Sequence, residues 1–235
     1  MKKIERADGT LLLPENGDAP FFTVCCIGDR ETTDTLARIL PPGYAAIVCP
    51  AGEWSDLAPF PVAALNPGEK DFTPGADRML QKIRHVLFDF SAQYPLRKDP
   101  DGHGLMGYSL AGLCVLYALH IRIDEFRWFY ALSPSVWMEG WREFAAAHPP
   151  RRDAHVWLSL GGKEPATKNP RMARVGEECR EEERLLKAIL PHGNVQMTWH
   201  PGGHFADVSK RMLAALSWKA LDKQVLSVYT ETTAK

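Results

Sequence analysis

Apolar residues along the chain fall into two kinds of pattern that alternate from one end to the other. Six short, nearly continuous apolar runs have the length of strands: 21–27, 44–49, 105–107, 128–133, 155–160 and 195–199. Five longer segments are helical in pattern: 33–40, 75–94, 110–121, 177–190 and 205–221. Continuous apolar strands are typical of a parallel sheet that is covered on both faces. The alternation therefore predicts a three-layer α/β/α fold with a mostly parallel central sheet.

The chain shows no repeat and no linker that would divide it. Its 235 residues are an ordinary length for a single α/β domain, so we expect one domain over 1–235. The longest loop, 50–74, is rich in proline and follows the second predicted strand. Because ligands bind at the carboxyl ends of parallel strands, chemically active residues are expected in the loops that follow them.

Composition narrows the classes of partner. The formal net charge is -1 and no basic cluster stands out, so binding to nucleic acid is not expected. No apolar run approaches the ~20 residues of a membrane span, and polar residues follow Met1-Lys2-Lys3 where a signal peptide would be apolar. The five cysteines form no zinc-binding pattern and are expected to be free, buried thiols. These features predict a soluble, cytoplasmic protein and specify no oligomeric state.

The segment 107–112, Gly-Tyr-Ser-Leu-Ala-Gly, lies between a predicted strand and a predicted helix. Such a sequence is typical of a nucleophile elbow, a sharp turn that lifts a serine hydroxyl above the sheet. Gly107 and Ala111 are small enough for strand and helix to pack closely, although the usual motif has glycine at both positions. Ser109 is therefore the candidate nucleophile, while the alternative is an ordinary turn whose serine caps a helix.

A serine nucleophile needs a base to remove its proton, and in this fold a histidine in the loop after the last strand serves. His204 lies in that loop, after two glycines. His200, at the end of the same strand, is the competing candidate. We favour His204 because the glycine-rich loop can bring its imidazole over the edge of the sheet.

The third member of a catalytic triad is an acid that orients the base. Glu164 is the first carboxylate after the 155–160 strand, where this fold places the acid, so we choose it. A solvated loop glutamate beside Lys163 is the alternative interpretation. Asp207 is a second candidate, and a Ser–His dyad without a strong acid is a third possibility.

Two backbone N–H groups are expected to form an oxyanion hole. The first is that of Leu110, directly after the serine. The second should come from the loop after the 44–49 strand, near Gly52 or Glu53. Trp54 in the same loop either shapes the substrate pocket or anchors the loop on the core. Tyr108 is a further candidate for substrate binding. The aromatic residues Trp54, Tyr108 and Trp137 together favour a substrate with an apolar or aromatic group.

Four blocks in this order resemble one family: 107–113, 132–137, 159–164 and 201–205. They are similar to the esterase family of α/β-hydrolases that includes enterochelin esterases and S-formylglutathione hydrolases, and above all to its small bacterial members. The resemblance runs from about Phe21 to Trp218 and implies ester hydrolysis through Ser109 and His204, without metal or other cofactor. Gly162 stands where many relatives carry an acidic residue. The short N-terminal part leads us to expect that the first strands of the larger fold are missing.

These observations predict a serine esterase that forms an acyl-enzyme on Ser109 with a small ester. A thioesterase or a hydrolase of small peptides is the alternative within enzymes. A non-catalytic binding protein built on a hydrolase fold is the alternative outside them, because the acid position departs from the family pattern.

Overall fold

The computed structural model describes residues 1–16 and 19–218. The strands within them are β1 (Lys2–Glu5), β2 (Thr10–Leu13), β3 (Phe22–Ile27), β4 (Tyr44–Cys49), β5 (His103–Tyr108), β6 (Trp128–Leu132), β7 (His155–Gly161) and β8 (Val195–His200). They form one sheet in the order β1-β2-β4-β3-β5-β6-β7-β8. β2 pairs antiparallel with both of its neighbours, and every pair from β4 to β8 is parallel. The predicted mostly parallel sheet is confirmed.

The N-terminal hairpin corrects one expectation. β1 and β2 extend the sheet beyond β4, so the view that the first strands would be missing is wrong. β1 was overlooked because it lies at the edge of the sheet and exposes charged side chains, which leaves little apolar pattern to detect.

Helices cover both faces of the sheet. They are α1 (Arg30–Ile39), α2 (Ala76–Ser91), α3 (Leu110–His120), α4 (Trp141–Ala147), α5 (Pro170–Ala173), α6 (Val175–Ile189) and α7, which begins at 208 and is described to 218. Buried side chains of α2, α3, α4 and α6 belong to the larger hydrophobic cluster on one face. Those of α1 and α7 belong to the smaller cluster on the other face. The three layers are therefore present as predicted.

The sequence explains why these elements occupy the centre. All residues of β3 and β4 are buried, as expected for strands that are covered on both sides. α3 is apolar around most of its circumference and is almost wholly buried, because it packs between the sheet and α2. All five cysteines are buried and free. Within the described ranges, no helix is both long and apolar enough to cross a membrane.

Candidate active site

Ser109 occupies a sharp turn between a strand and a helix. β5 ends at Tyr108 and α3 begins at Leu110, so Ser109 is the residue that joins them. Its backbone has φ 59° and ψ −121°, and residues other than glycine seldom adopt such a positive φ. Strain of this kind costs on the order of 1–3 kcal/mol and collects at active sites. The turn has the geometry of the elbow that the sequence indicated.

Small residues allow the strand and the helix to meet at this turn. A Cβ added to Gly107 would lie 2.3 Å from the carbonyl oxygen of Ala111, which no ordinary contact permits. A Cβ added to Gly112 would lie 3.0 Å from the carbonyl oxygen of Leu132. Any side chain at Gly107 would therefore push α3 away from β5. The first N–H groups of α3, starting with that of Leu110, have no acceptor within the helix and are available to an anion.

His204 and Glu164 meet at the ends of the two last strands. Glu164 begins a short 3-10 turn after β7, and His204 lies in the turn between β8 and α7. The distance from His204 Nδ1 to Glu164 Oε2 is 2.7 Å. A proton on Nδ1 that is donated to the carboxylate leaves Nε2 as the nitrogen that can accept another proton.

Glu164 is buried and held by several donors. Its Oε1 accepts hydrogen bonds from the N–H of Gly161 at 2.6 Å, the hydroxyl of Ser133 at 2.8 Å and Nη1 of Arg211 at 3.0 Å. Burial raises the pKa of Glu164, but the hydrogen bonds from His204, Gly161 and Ser133 outweigh it, so the pKa lies below its ordinary value. The carboxylate is therefore ionised at neutral pH and can orient a histidine.

The competing residues lie elsewhere. His200 ends β8, and its Nε2 is buried without a hydrogen-bond partner among the described residues. Burial, together with the positive charge of Arg211, lowers the pKa of His200. Asp207 forms an ion pair with Lys210 at 2.9 Å. Of the two candidate acids, Glu164 is the one whose carboxylate the structure brings to His204.

A cleft of about 800 Å³ opens above the elbow. Ser109, Leu110, Glu164 and His204 all line it, so the strand ends converge on one space as expected. The rest of its wall is mainly apolar and includes Trp54, Leu65, Phe72, Trp137, Met172, Val175 and Phe205. Lys163 is the single cationic side chain among the lining residues. The cleft is therefore suited to an uncharged, largely apolar molecule.

The loop after β4 contributes less of the cleft than the sequence suggested. Trp54 lines it and is 47% exposed. Gly52 and Glu53 are exposed and are not among the lining side chains, and Glu53 forms an ion pair with Lys70. Tyr108 lines the cleft, but its hydroxyl faces inward, where it donates to the carbonyl oxygen of His204 and accepts from Arg211.

Sequence reasoning missed several residues around this site, Arg211 and Phe205 among them. Arg211 is wholly buried beside Glu164, and Phe205 lines the cleft with 88% of its surface exposed. A signal for Arg211 was present, because it falls on the same face of α7 as the buried Ala215. A charge on the apolar face of an amphipathic helix indicates a buried partner. Phe205 carried no pattern of its own beyond following His204.

Comparison with known structures identifies the class of fold. An IroE-like serine hydrolase from Shewanella oneidensis is 16% identical, with a TM-score of 0.71 over 92% of this chain and 78% of that one. The siderophore hydrolase EstA from Aspergillus nidulans is 18% identical, with a TM-score of 0.68 over 89% and 88%. The S-formylglutathione hydrolase FrmB from Staphylococcus aureus is 14% identical, with a TM-score of 0.58 over 89% and 91%.

This chain therefore has the α/β-hydrolase fold. Its structural neighbours include a siderophore hydrolase, an enterobactin esterase and an S-formylglutathione hydrolase, which agrees with the family that the four sequence blocks resemble. No family model matches the chain.

Proposed function

We propose that this protein is a serine hydrolase, specifically a carboxylesterase that cleaves a small ester through an acyl-enzyme on Ser109. One observation carries the proposal. A serine in the strained elbow conformation and a hydrogen-bonded histidine–carboxylate pair line the same cleft. Several structural neighbours are named as serine hydrolases or as an esterase, which supports the same reaction class.

In the acylation step, Nε2 of His204 takes the proton of the Ser109 hydroxyl as its oxygen attacks the ester carbonyl carbon. The oxyanion that forms accepts a hydrogen bond from the N–H of Leu110 at the start of α3. A second N–H is expected from the 52–54 segment. The carbonyl then re-forms, the C–O bond to the alcohol breaks, and His204 returns the proton to the leaving oxygen. Glu164 stabilises the imidazolium that exists between these events.

Deacylation repeats the same chemistry with water as the nucleophile. His204 removes a proton from water, whose oxygen attacks the acyl carbon, and the proton passes to Ser109 as the acid leaves. The apolar wall of the cleft favours an ester with an apolar or aromatic group.

The five free thiols support the proposal of a reducing, cytoplasmic compartment.

The test is to measure hydrolysis of p-nitrophenyl acetate and butyrate and labelling by a fluorophosphonate probe, in wild type and Ser109→Ala. We expect the variant to lose on the order of 10⁴-fold or more of kcat and to remain unlabelled while unfolding like wild type. Ser133 and Ser135 also line the cleft, so the labelled peptide should be identified by mass spectrometry. Label on Ser109 supports the proposal. An inert, unlabelled wild type would favour a non-catalytic binding protein.

A further inference from the structure

Arg211, in the first turn of α7, is a charged residue buried inside the fold. Its relative exposure is 0%, and it packs on the face of the sheet that α7 covers with Met212 and Ala215. Burying a guanidinium costs more than it returns unless the group is paired and hydrogen-bonded. Its partners therefore decide why an arginine stands at this position.

Those partners lie on three separate parts of the chain: the end of β5, the turn after β7 and the turn after β8. Nη1 of Arg211 donates to Oε1 of Glu164 at 3.0 Å and to the hydroxyl of Tyr108 at 2.9 Å. Nη2 donates to the carbonyl oxygen of Gly203 at 2.6 Å. Tyr108 directly precedes Ser109, and Gly203 directly precedes His204. One guanidinium thus contacts the candidate acid, the residue before the candidate nucleophile and the residue before the candidate base.

The same contacts fix the rotation of the Glu164 carboxylate. Oε1 is occupied by Gly161, Ser133 and Arg211, and Ser133 is itself held by Nη1 of Arg211 at 2.8 Å. Oε2 is then the oxygen that faces His204. Because Arg211 is not among the residues that line the cleft, any effect on a substrate must pass through its neighbours.

We propose, resting on the proposed esterase function, that Arg211 is a positioning residue. It ties the elbow, the acid and the histidine loop to one planar group and so sets the distance between His204 and Ser109. A planar fork with several fixed donors can hold several loops in one arrangement, which lysine cannot do with a single ammonium.

The first measurement compares wild type with Arg211→Met and Arg211→Lys. We expect Arg211→Met to lower kcat about 100-fold or more with little change in KM, since misplacing reacting groups by about 1 Å has that effect. Arg211→Lys keeps the charge but not the fork and should recover only part of kcat. Arg142→Met is the matched control, because Arg142 also pairs with a buried carboxylate, that of Glu178, on α6. It should keep its kcat.

A double-mutant cycle with Glu164→Gln separates positioning from general loss of structure. If Arg211 acts through Glu164, then Arg211→Met costs much less kcat in the Glu164→Gln background than in wild type. Fully additive losses, or unchanged kcat in both Arg211 variants, would overturn the proposal. Arg211→Lys keeps the test open should the methionine variant fail to fold.

A readout that needs no turnover separates this proposal from the esterase assignment. The Nδ1 proton that His204 shares with Glu164 should give a downfield proton NMR signal in wild type, absent in His204→Ala. We expect the signal to broaden or disappear in Arg211→Met. An unchanged signal refutes the role of Arg211 even if the esterase activity is present. A lost signal supports it even if no ester is cleaved.

Discussion

Two histidine–glutamate pairs of nearly equal length occupy very different places in this molecule. His204 Nδ1 and Glu164 Oε2 are 2.7 Å apart at the strand ends, and His120 Nε2 and Glu182 Oε1 are 2.8 Å apart between α3 and α6. His120 is buried, and its other nitrogen forms a hydrogen bond with the carbonyl oxygen of His148. Glu182 also accepts a hydrogen bond from Nε1 of Trp141. His204 has a quarter of its side chain exposed and lines the cleft.

A short hydrogen bond between a histidine and a glutamate does not by itself define a catalytic site. Both nitrogens of His120 are bonded within the fold, so it has none to offer to a substrate. The carboxylate of Glu164 binds only Nδ1 of His204, and the ring of His204 lines a cleft that Ser109, with its strained backbone, also lines. Access to a cleft and a neighbouring candidate nucleophile distinguish the His204 pair from the His120 pair, so the two pairs should respond to mutation in opposite ways.

The largest contrast should come from removing each histidine. We expect His204→Ala to lose on the order of 10⁴–10⁶-fold in kcat with a near-normal free energy of unfolding. His120→Ala should keep its kcat, but its free energy of unfolding should fall by about 3 kcal/mol, because the substitution leaves the buried carboxylate of Glu182 without its charged partner. Ester hydrolysis and urea denaturation of both variants measure this. Loss of kcat in both, or in neither, would remove the distinction.

The dependence of stability on pH should also separate the pairs. The charge and hydrogen bond of Glu182 outweigh the effect of burial and raise the pKa of His120 above its ordinary 6.5. Its stabilising contribution is thus complete below about 6.5 and is lost as pH rises through the folded pKa. The pKa of Glu164 is lowered from 4.5, so its contribution is present above that value and is lost as pH falls.

Plots of the free energy of unfolding against pH should therefore change at the alkaline end when His120 is replaced and at the acid end when Glu164 is replaced. His120→Gln should remove part of the decline on the alkaline side, and Glu164→Gln part of the decline on the acid side. Identical pH profiles for wild type and His120→Gln would show that the buried pair carries no linked proton.

The smallest effect is expected at the mouth of the cleft. Phe205 is 88% exposed and lines the cleft, whereas Phe88 is 72% exposed on α2 and does not. Phe205→Ala should raise KM for the butyrate ester about five-fold, the loss of ~1 kcal/mol of apolar contact, while Phe88→Ala leaves it unchanged. Equal KM values for the two variants would exclude Phe205 from substrate binding.

Much of the fold could be predicted because its central strands carry continuous apolar runs. The strand at 44–49 agrees residue for residue, and β7 extends the prediction by one residue. α4 was missed because it is one short helix of seven residues in a loop. The last helix was predicted over 205–221; it begins at 208 because a turn containing Asp207, with φ 52°, precedes it, and its predicted end lies outside the described residues.

The site could be predicted only where chain order carries information. The order of serine, acid and histidine located Ser109, Glu164 and His204, and the structure brings all three to one cleft. The position of Arg211 on the apolar face of α7 indicated a buried partner, but its partners lie 47 and 103 residues away, so no local pattern could identify them. The cleft wall likewise draws on distant loops and needs tertiary structure to be recognised.

The burial of the five cysteines has a consequence for covalent chemistry. Burial raises the pKa of the Cys114 and Cys49 thiols to about 12, and those of the other three are raised as well. Since the thiolate is the reactive form, the folded protein offers alkylating agents and oxidants almost no sulfur nucleophile at neutral pH. Electrophiles that modify the native protein will therefore react with its nitrogen or oxygen nucleophiles rather than with sulfur, and the reactivity of the thiols will report how often the fold opens.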